Sequence, residues 1–271
     1  MLFVTFLQVP LADLGKAFTD VRFLSALAVG NFIVVPLLVA VLINFLPTEP
    51  LLVIGVLFVL LTPCVDYVVT FSHLGRADAR SLLASTPLLL LAQMALLPLY
   101  LGAFIGDDAA ALVQPGPFIH AFTLLIAGPL LLAAGFQVLE RRVKAAEIGV
   151  AALGILPVPA TALVLFVVIC SVVPQLGLAI SSVMKAVPIY VAFALVAPVA
   201  GWLVARAFSL PSDQGRAIAF STATRNSLVI LPLALSVPGA IPVIPAVIVA
   251  QTLVELLSEL VYIRVIPRFR I

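Results

Sequence analysis

Charge is what this chain has least of. Of its 271 residues only 10% are Asp, Glu, Lys or Arg, histidine occurs twice and tryptophan once, and the net charge is +2. So sparse a supply leaves no basic patch interleaved with aromatics through which to hold nucleic acid. Cysteine is nearly absent too. Cys64 and Cys170 both lie inside apolar runs, without the number or spacing of a disulfide framework or a zinc site. There is no GxSxG, no HExxH and no pair of aspartates at catalytic spacing, and no stretch resembles a channel filter. These absences speak against an enzyme and a channel, and they call for no cofactor and no metal. The β alternation of a membrane barrel is missing as well.

What is there is apolar: 64% of the residues are hydrophobic, and the mean hydropathy is +1.31. No soluble core hides so much apolar surface. At about 20 residues per crossing, spans are expected at roughly 24 to 46, 51 to 73, 82 to 106, 118 to 139, 148 to 172, 187 to 208, 215 to 236 and 241 to 266. The opening stretch from Met1 to Val9 ends at Pro10 and covers only about half a bilayer. Every connection is short, so residues 1–271 read as one all-α, polytopic transmembrane domain with the lipid bilayer as its solvent.

Basic residues orient it. Lys16 and Arg22, Arg76 and Arg80, Arg141, Arg142 and Lys144, Arg206 and Arg216, then Arg264, Arg268 and Arg270 fall in or beside alternate connections. The opposite connections carry Glu49, Asp107 and Asp108, Lys185 and the neutral turn Val237-Pro238-Gly239-Ala240. By the positive-inside rule the first set and the C-terminus are expected to be cytoplasmic, in a plasma (inner) membrane, with Lys185 on the wrong side.

Ionisable residues inside a span are costly and face a pathway or a partner. Four interrupt the apolar runs: Asp66, Arg225, Glu255 and Glu259. Asp66 follows Leu61-Thr62-Pro63-Cys64-Val65 in mid-span, and Arg225 lies in the polar run Ser221-Thr222-Ala223-Thr224-Arg225-Asn226-Ser227. A proline in a span lacks an N–H and frees carbonyls that hydrocarbon cannot satisfy. Each interrupted span precedes one with buried polar groups: Ser85, Thr86 and Gln93 in one half, Gln251, Thr252, Glu255 and Glu259 in the other. Paired, broken helices of this kind mark an inverted-repeat secondary transporter with its site near the midplane.

In the last span Gln251, Glu255 and Glu259 recur every four residues and form one polar stripe, which must face the protein interior. Its carboxylates suit a hard cation such as sodium, or an exchangeable proton. The planar fork of Arg225 suits a carboxylate or oxyanion substrate, or neutralises Asp66 internally; internal neutralisation is favoured. His73, His120, Trp202 and Tyr262 read as structural or interfacial.

Pro63-Cys64, Thr224-Arg225-Asn226-Ser227 and Thr252-Leu253-Val254-Glu255, with Asn31-Phe32-Ile33 before Pro36, resemble the bile acid:sodium symporter superfamily, above all its arsenical-resistance permeases. The resemblance implies two discontinuous helices crossing in a core domain, about 24–106 and 187–266, beside panel helices at about 1–12 and 118–172. It also implies ten helices, so this chain is expected to start within the second and to lack the first. In the arsenite permeases a cysteine after the mid-span proline and a glutamate in the last helix serve transport, roles that pass to Cys64 and Glu255. Asp66 and Arg225 depart from that pattern. Trivalent arsenic is thiophilic, and a single thiol releases it where three would trap it.

The leading expectation is an arsenite efflux permease exchanging its cargo for protons. Substrate contacts fall to Cys64, Asp66, Arg225, Asn226 and Glu255, and ion coupling to Asp66, Thr224, Asn226, Ser227, Gln251, Glu255 and Glu259. The alternatives are sodium-coupled uptake of an organic anion held by Arg225, and a truncated membrane protein that transports nothing.

Overall fold

A computed structural model describes residues 20–106, 123–124, 128–140, 157–235, 237 and 239–269. The expectations placed on Met1 to Val9, Lys16, Asp107, Asp108, His120, the Arg141 to Lys144 loop and Arg270 lie outside the described residues. So does most of the connection expected between panel helices.

The described chain is helical throughout. Helix α1 covers Val21–Ile43, with a wider π turn at Gly30–Val34. Then follow α2 (Pro50–Leu60), α3 (Val68–Leu74) and α4 (Ala79–Ile105). After α5 (Gly128–Glu140) come α6 (Pro157–Ala207), α7 (Ser212–Ala223), α8 (Ser227–Ala234) and α9 (Val243–Val265), which ends in a short 3₁₀ turn. Val21–Ile43, Ala79–Ile105, Ala179–Ala207 and Val243–Arg268 are each long and apolar enough to cross a membrane. The order is thus a long span, a broken pair and a long span, met twice: α1, α2/α3, α4 and then α6, α7/α8, α9. The expected interruptions near Pro63 and Arg225 are real breaks.

One expectation fails. From Pro157 onward the span anticipated at 148 to 172, and the one at 187 to 208, belong to a single helix, Pro157–Ala207, of 51 residues, while 148–156 lie outside the described residues. At about 1.5 Å per residue it reaches about 76 Å, more than twice the ~30 Å hydrocarbon layer. Pro174 and Gly177 lie within it but do not end it, because apolar surroundings without water favour keeping the backbone bonded to itself. Lys185, taken as the mark of a connection, instead sits on the helix surface and pairs with Glu49 before α2.

That pair ties α6 to the acidic connection before α2 at one end of the bundle. At the other end Gln214 Nε2 donates to Asp20 Oδ2 at 2.8 Å, and the Asp78 amide donates to the Asp213 carbonyl at 3.0 Å. The connections beside Asp20, Asp78 and Asp213, which carry Arg22, Arg76, Arg80 and Arg216, therefore meet at one end. Asp20 and Asp78 also cap α1 and α4, accepting from the Phe23 and Ser81 amides.

Helix α6 lies along α7 and α9, and α9 packs on α2. The exterior is leucine-rich, with Leu37, Leu195 and Leu257 exposed as suits lipid contact. Among the described glycines, Gly201 has the least room for a side chain. A Cβ there would lie 2.0 Å from Thr222 Oγ1 and 3.0 Å from the Ile218 carbonyl. The Thr222 hydroxyl meanwhile lies within bonding distance of the Ala197 carbonyl, 3.1 Å away across the helix pair. Gly201→Val is expected to force α6 and α7 apart at a cost of about 1–3 kcal/mol. The check is thermal denaturation in detergent, where the midpoint should fall by roughly 5 °C; an unchanged midpoint would mean the helices do not touch there.

Candidate functional site

The two breaks meet. Pro63 and Arg225 form an antiparallel bridge: the Cys64 amide donates to the Thr224 carbonyl at 3.0 Å, and the Asn226 amide to the Thr62 carbonyl at 2.9 Å. Each break consumes the backbone groups the other leaves open, which is how non-helical chain survives at membrane depth. The two segments are built alike. Thr62 closes α2 by turning its hydroxyl onto the Phe58 carbonyl (2.9 Å), and Thr224 closes α7 by donating to the Phe220 carbonyl (2.7 Å). In both, a threonine four residues past a phenylalanine ends the helix, so the halves share a local rule despite little sequence identity.

Around the crossing lies the polar stripe of α9. Gln251, Thr252, Glu255 and Glu259 are buried, whereas Leu253, Leu257, Leu260 and Val261 are exposed, so the helix turns its polar side inward as predicted. Glu255 is held from three directions. Its Oε1 accepts from the Tyr67 hydroxyl at 2.6 Å; its Oε2 accepts from the Arg225 amide at 2.7 Å and from Gln251 Nε2 at 2.6 Å. Only donors face it, which fits an ionised, acceptor-only carboxylate. Glu259 is less provided for: its Oε1 lies 2.6 Å from Thr224 Oγ1 and competes with the Phe220 carbonyl for that hydroxyl's single hydrogen, and among the described residues its Oε2 has no partner. Asp66 is 7% exposed, and among the described residues neither of its oxygens has a hydrogen-bond partner. The Oε1 of Gln251 and the Nδ2 of Asn226 are likewise buried and, among the described residues, unbonded. Buried polar atoms seldom stay unpaired without a reason.

Arg225 departs from its expected part. It is 0% exposed, yet among the described residues it makes no ion pair with Asp66 or with any other carboxylate. Its Nη2 instead donates to Asn31 Oδ1 (3.0 Å) and to the carbonyls of Ser221 (2.6 Å) and Thr222 (2.7 Å), while Nη1 reaches the Leu60 carbonyl at 3.4 Å. The guanidinium also stands 5.5 Å from the Phe193 ring. The physical reason is local. The carbonyls ending α7 lie three and four residues before Arg225, so its fork meets them before any carboxylate.

Cys64 is buried at the crossing, its sulfur near the Asp66 and Val68 amides and within electrostatic reach of Asp66 and Glu255. Cys170 is exposed on α6, far along the chain from these groups. Ser227 starts α8 beside Asn226, which caps that helix through Oδ1 to the Val229 amide at 3.3 Å. The structure thus brings every expected site residue to the crossing or to the stripe facing it. Sequence reasoning gave no role to Tyr67, nor any to Asn31 beyond the resemblance. Asn31 sits in the π turn, donating to Ser221 Oγ at 2.9 Å while accepting from Arg225; such turns often mark functional positions.

An all-helical bundle whose two broken helices cross over buried carboxylates is a polytopic membrane transporter. The chain belongs to the Sodium Bile acid symporter family, whose pattern matches residues 1–186. That match includes the Pro63 break and ends before Arg225 and Glu255, which the fold ties to it. No curated protein matches the chain.

Proposed function

We propose that this protein is a cation-coupled secondary transporter of the plasma (inner) membrane, and that its cargo is arsenite, exported in exchange for protons. The observation that carries the coupling is the charge balance at the crossing. Glu255 and Glu259 face the crossing, and Asp66 is buried in the unwound segment after Pro63; among the described residues one guanidinium stands beside them, and it is spent on backbone carbonyls. A site with unpaired acceptor oxygens and surplus negative charge attracts a cation. Glu255, bonded from three sides, is the fixed anchor, whereas Asp66 and Glu259 keep free lone pairs for the exchanging ion. What supports a neutral, thiophilic cargo is the thiol of Cys64, buried at the crossing within electrostatic reach of Asp66 and Glu255.

Cells lacking arsenite export are the test. Expression of this chain should restore resistance, and Cys64→Ser should reduce it at least tenfold while leaving protein abundance unchanged. Failure of the chain to restore resistance removes arsenite as cargo, and equal resistance with and without the thiol removes Cys64 from the site. Family membership favours a second reading, sodium-coupled uptake of an organic anion, which predicts sodium-dependent accumulation of labelled anion in vesicles. The engagement of Arg225 with carbonyls weighs against it, since Nη2 is already committed to three oxygens and, of its N–H groups, Nε among the described residues is left without a partner.

A further inference from the structure

The carbonyls of Ser221 and Thr222 belong to the last turn of α7, and that of Leu60 ends α2. Both helices therefore direct their negative ends at one point. In inverted-repeat transporters such half-helix ends and unwound carbonyls are where a coupling cation is coordinated. Here the guanidinium of Arg225 stands at that point. Its Nη2 faces three oxygens, those of Asn31, Ser221 and Thr222, with only two hydrogens, so one bond is shared. Asn31 is itself fixed by donating to the Leu27 carbonyl at 3.1 Å and to Ser221 Oγ. Phe193 closes the remaining face. A charge surrounded by neutral oxygens and an aromatic ring, with no carboxylate in ion-pair range among the described residues, is solvated by the protein as a bound ion would be.

We propose that Arg225 is a tethered cation that neutralises the facing ends of the two broken helices in place of an exchangeable ion, so that its removal opens a site for free guanidinium. This rests on the crossing being the transport core, and it narrows the coupling. The exchanging cation is left to the carboxylates alone, and the carbonyl cluster stays occupied throughout the cycle. Arg225 is then a positioning residue that holds the crossing shut.

The full chain, purified in detergent, provides the test through its melting temperature. Arg225→Ala should melt roughly 10 °C below wild type. Millimolar methylguanidinium should recover at least half of that loss in a saturable manner, tetramethylammonium should recover none, and wild type should respond to neither. Absence of selective recovery, or an equal response from wild type, overturns the proposal. If the alanine variant does not fold, Arg225→Lys and Arg225→Gln separate charge from hydrogen bonding. Lysine should melt clearly higher, and a glutamine variant as stable as the lysine one is the contrary result. Melting does not depend on cargo, so failure of the arsenite assay leaves this outcome intact.

Discussion

Glu255→Ala is expected to abolish transport and to lower the stability of the folded chain by about 3–6 kcal/mol, the largest loss of any single side chain at the crossing. The figure follows from what truncation leaves behind. Three buried donors are disturbed: the Arg225 amide and the Gln251 amide lose their acceptor, and the Tyr67 hydroxyl keeps only the Arg225 carbonyl, 3.1 Å away. A buried donor left unmade costs about 1–3 kcal/mol, and because the three share one carboxylate their losses do not simply add. The Arg225 amide matters most, since it lies between the two bonds that join the broken segments. Glu255→Gln keeps the shape but turns an N–H₂ toward at least one donor, so it should cost less, about 1–3 kcal/mol, while still losing transport. Thermal unfolding of detergent-solubilised protein, read beside uptake or efflux in vesicles, checks both parts. An alanine variant that melts with wild type would show that Glu255 does not hold the crossing together.

Much of this site was legible because apolar sequence makes every exception visible. Asp66, Arg225, Glu255 and Glu259 stand out for lack of competitors, and the spacing of Gln251, Glu255 and Glu259 fixes them to one face of α9 without any coordinates. The breaks were legible from Pro63 and from the polar run at Ser221 to Ser227. Partners were harder. Nothing in the residue string distinguishes an arginine bound to a carboxylate from one bound to main-chain carbonyls, because carbonyls are the same at every position. Tyr67 was missed for a related reason: a tyrosine in a membrane segment gives no sign of whether its hydroxyl faces an interface or a glutamate. Asn31 depends on a π turn, and a π turn has no signature in composition. The length of α6 misled because Lys185 resembles a connection, whereas a lysine can lie along a helix surface when its ammonium reaches a partner such as Glu49.

Asp66 invites the opposite experiment, since replacing it should make the protein more stable and less functional. Its carboxyl group is buried, with both oxygens unbonded among the described residues, in a setting where removing an ionisable group from water costs several kcal/mol. A buried group that carries such a cost with no hydrogen bond from the described residues calls for a reason other than stability. Asp66→Leu should therefore raise the melting temperature by roughly 5 °C, in line with the trade-off between stability and activity. Transport driven by a cation gradient should fall to background in the same variant, because Asp66 supplies two of the free acceptor oxygens at the crossing. Asp66→Asn separates the contributions: it retains a polar group of nearly the same shape but no charge, and should gain less stability while losing coupling equally. If Asp66→Leu melts lower than wild type, the carboxylate is serving the fold. If it transports normally, the exchanging ion is held by Glu259 without it.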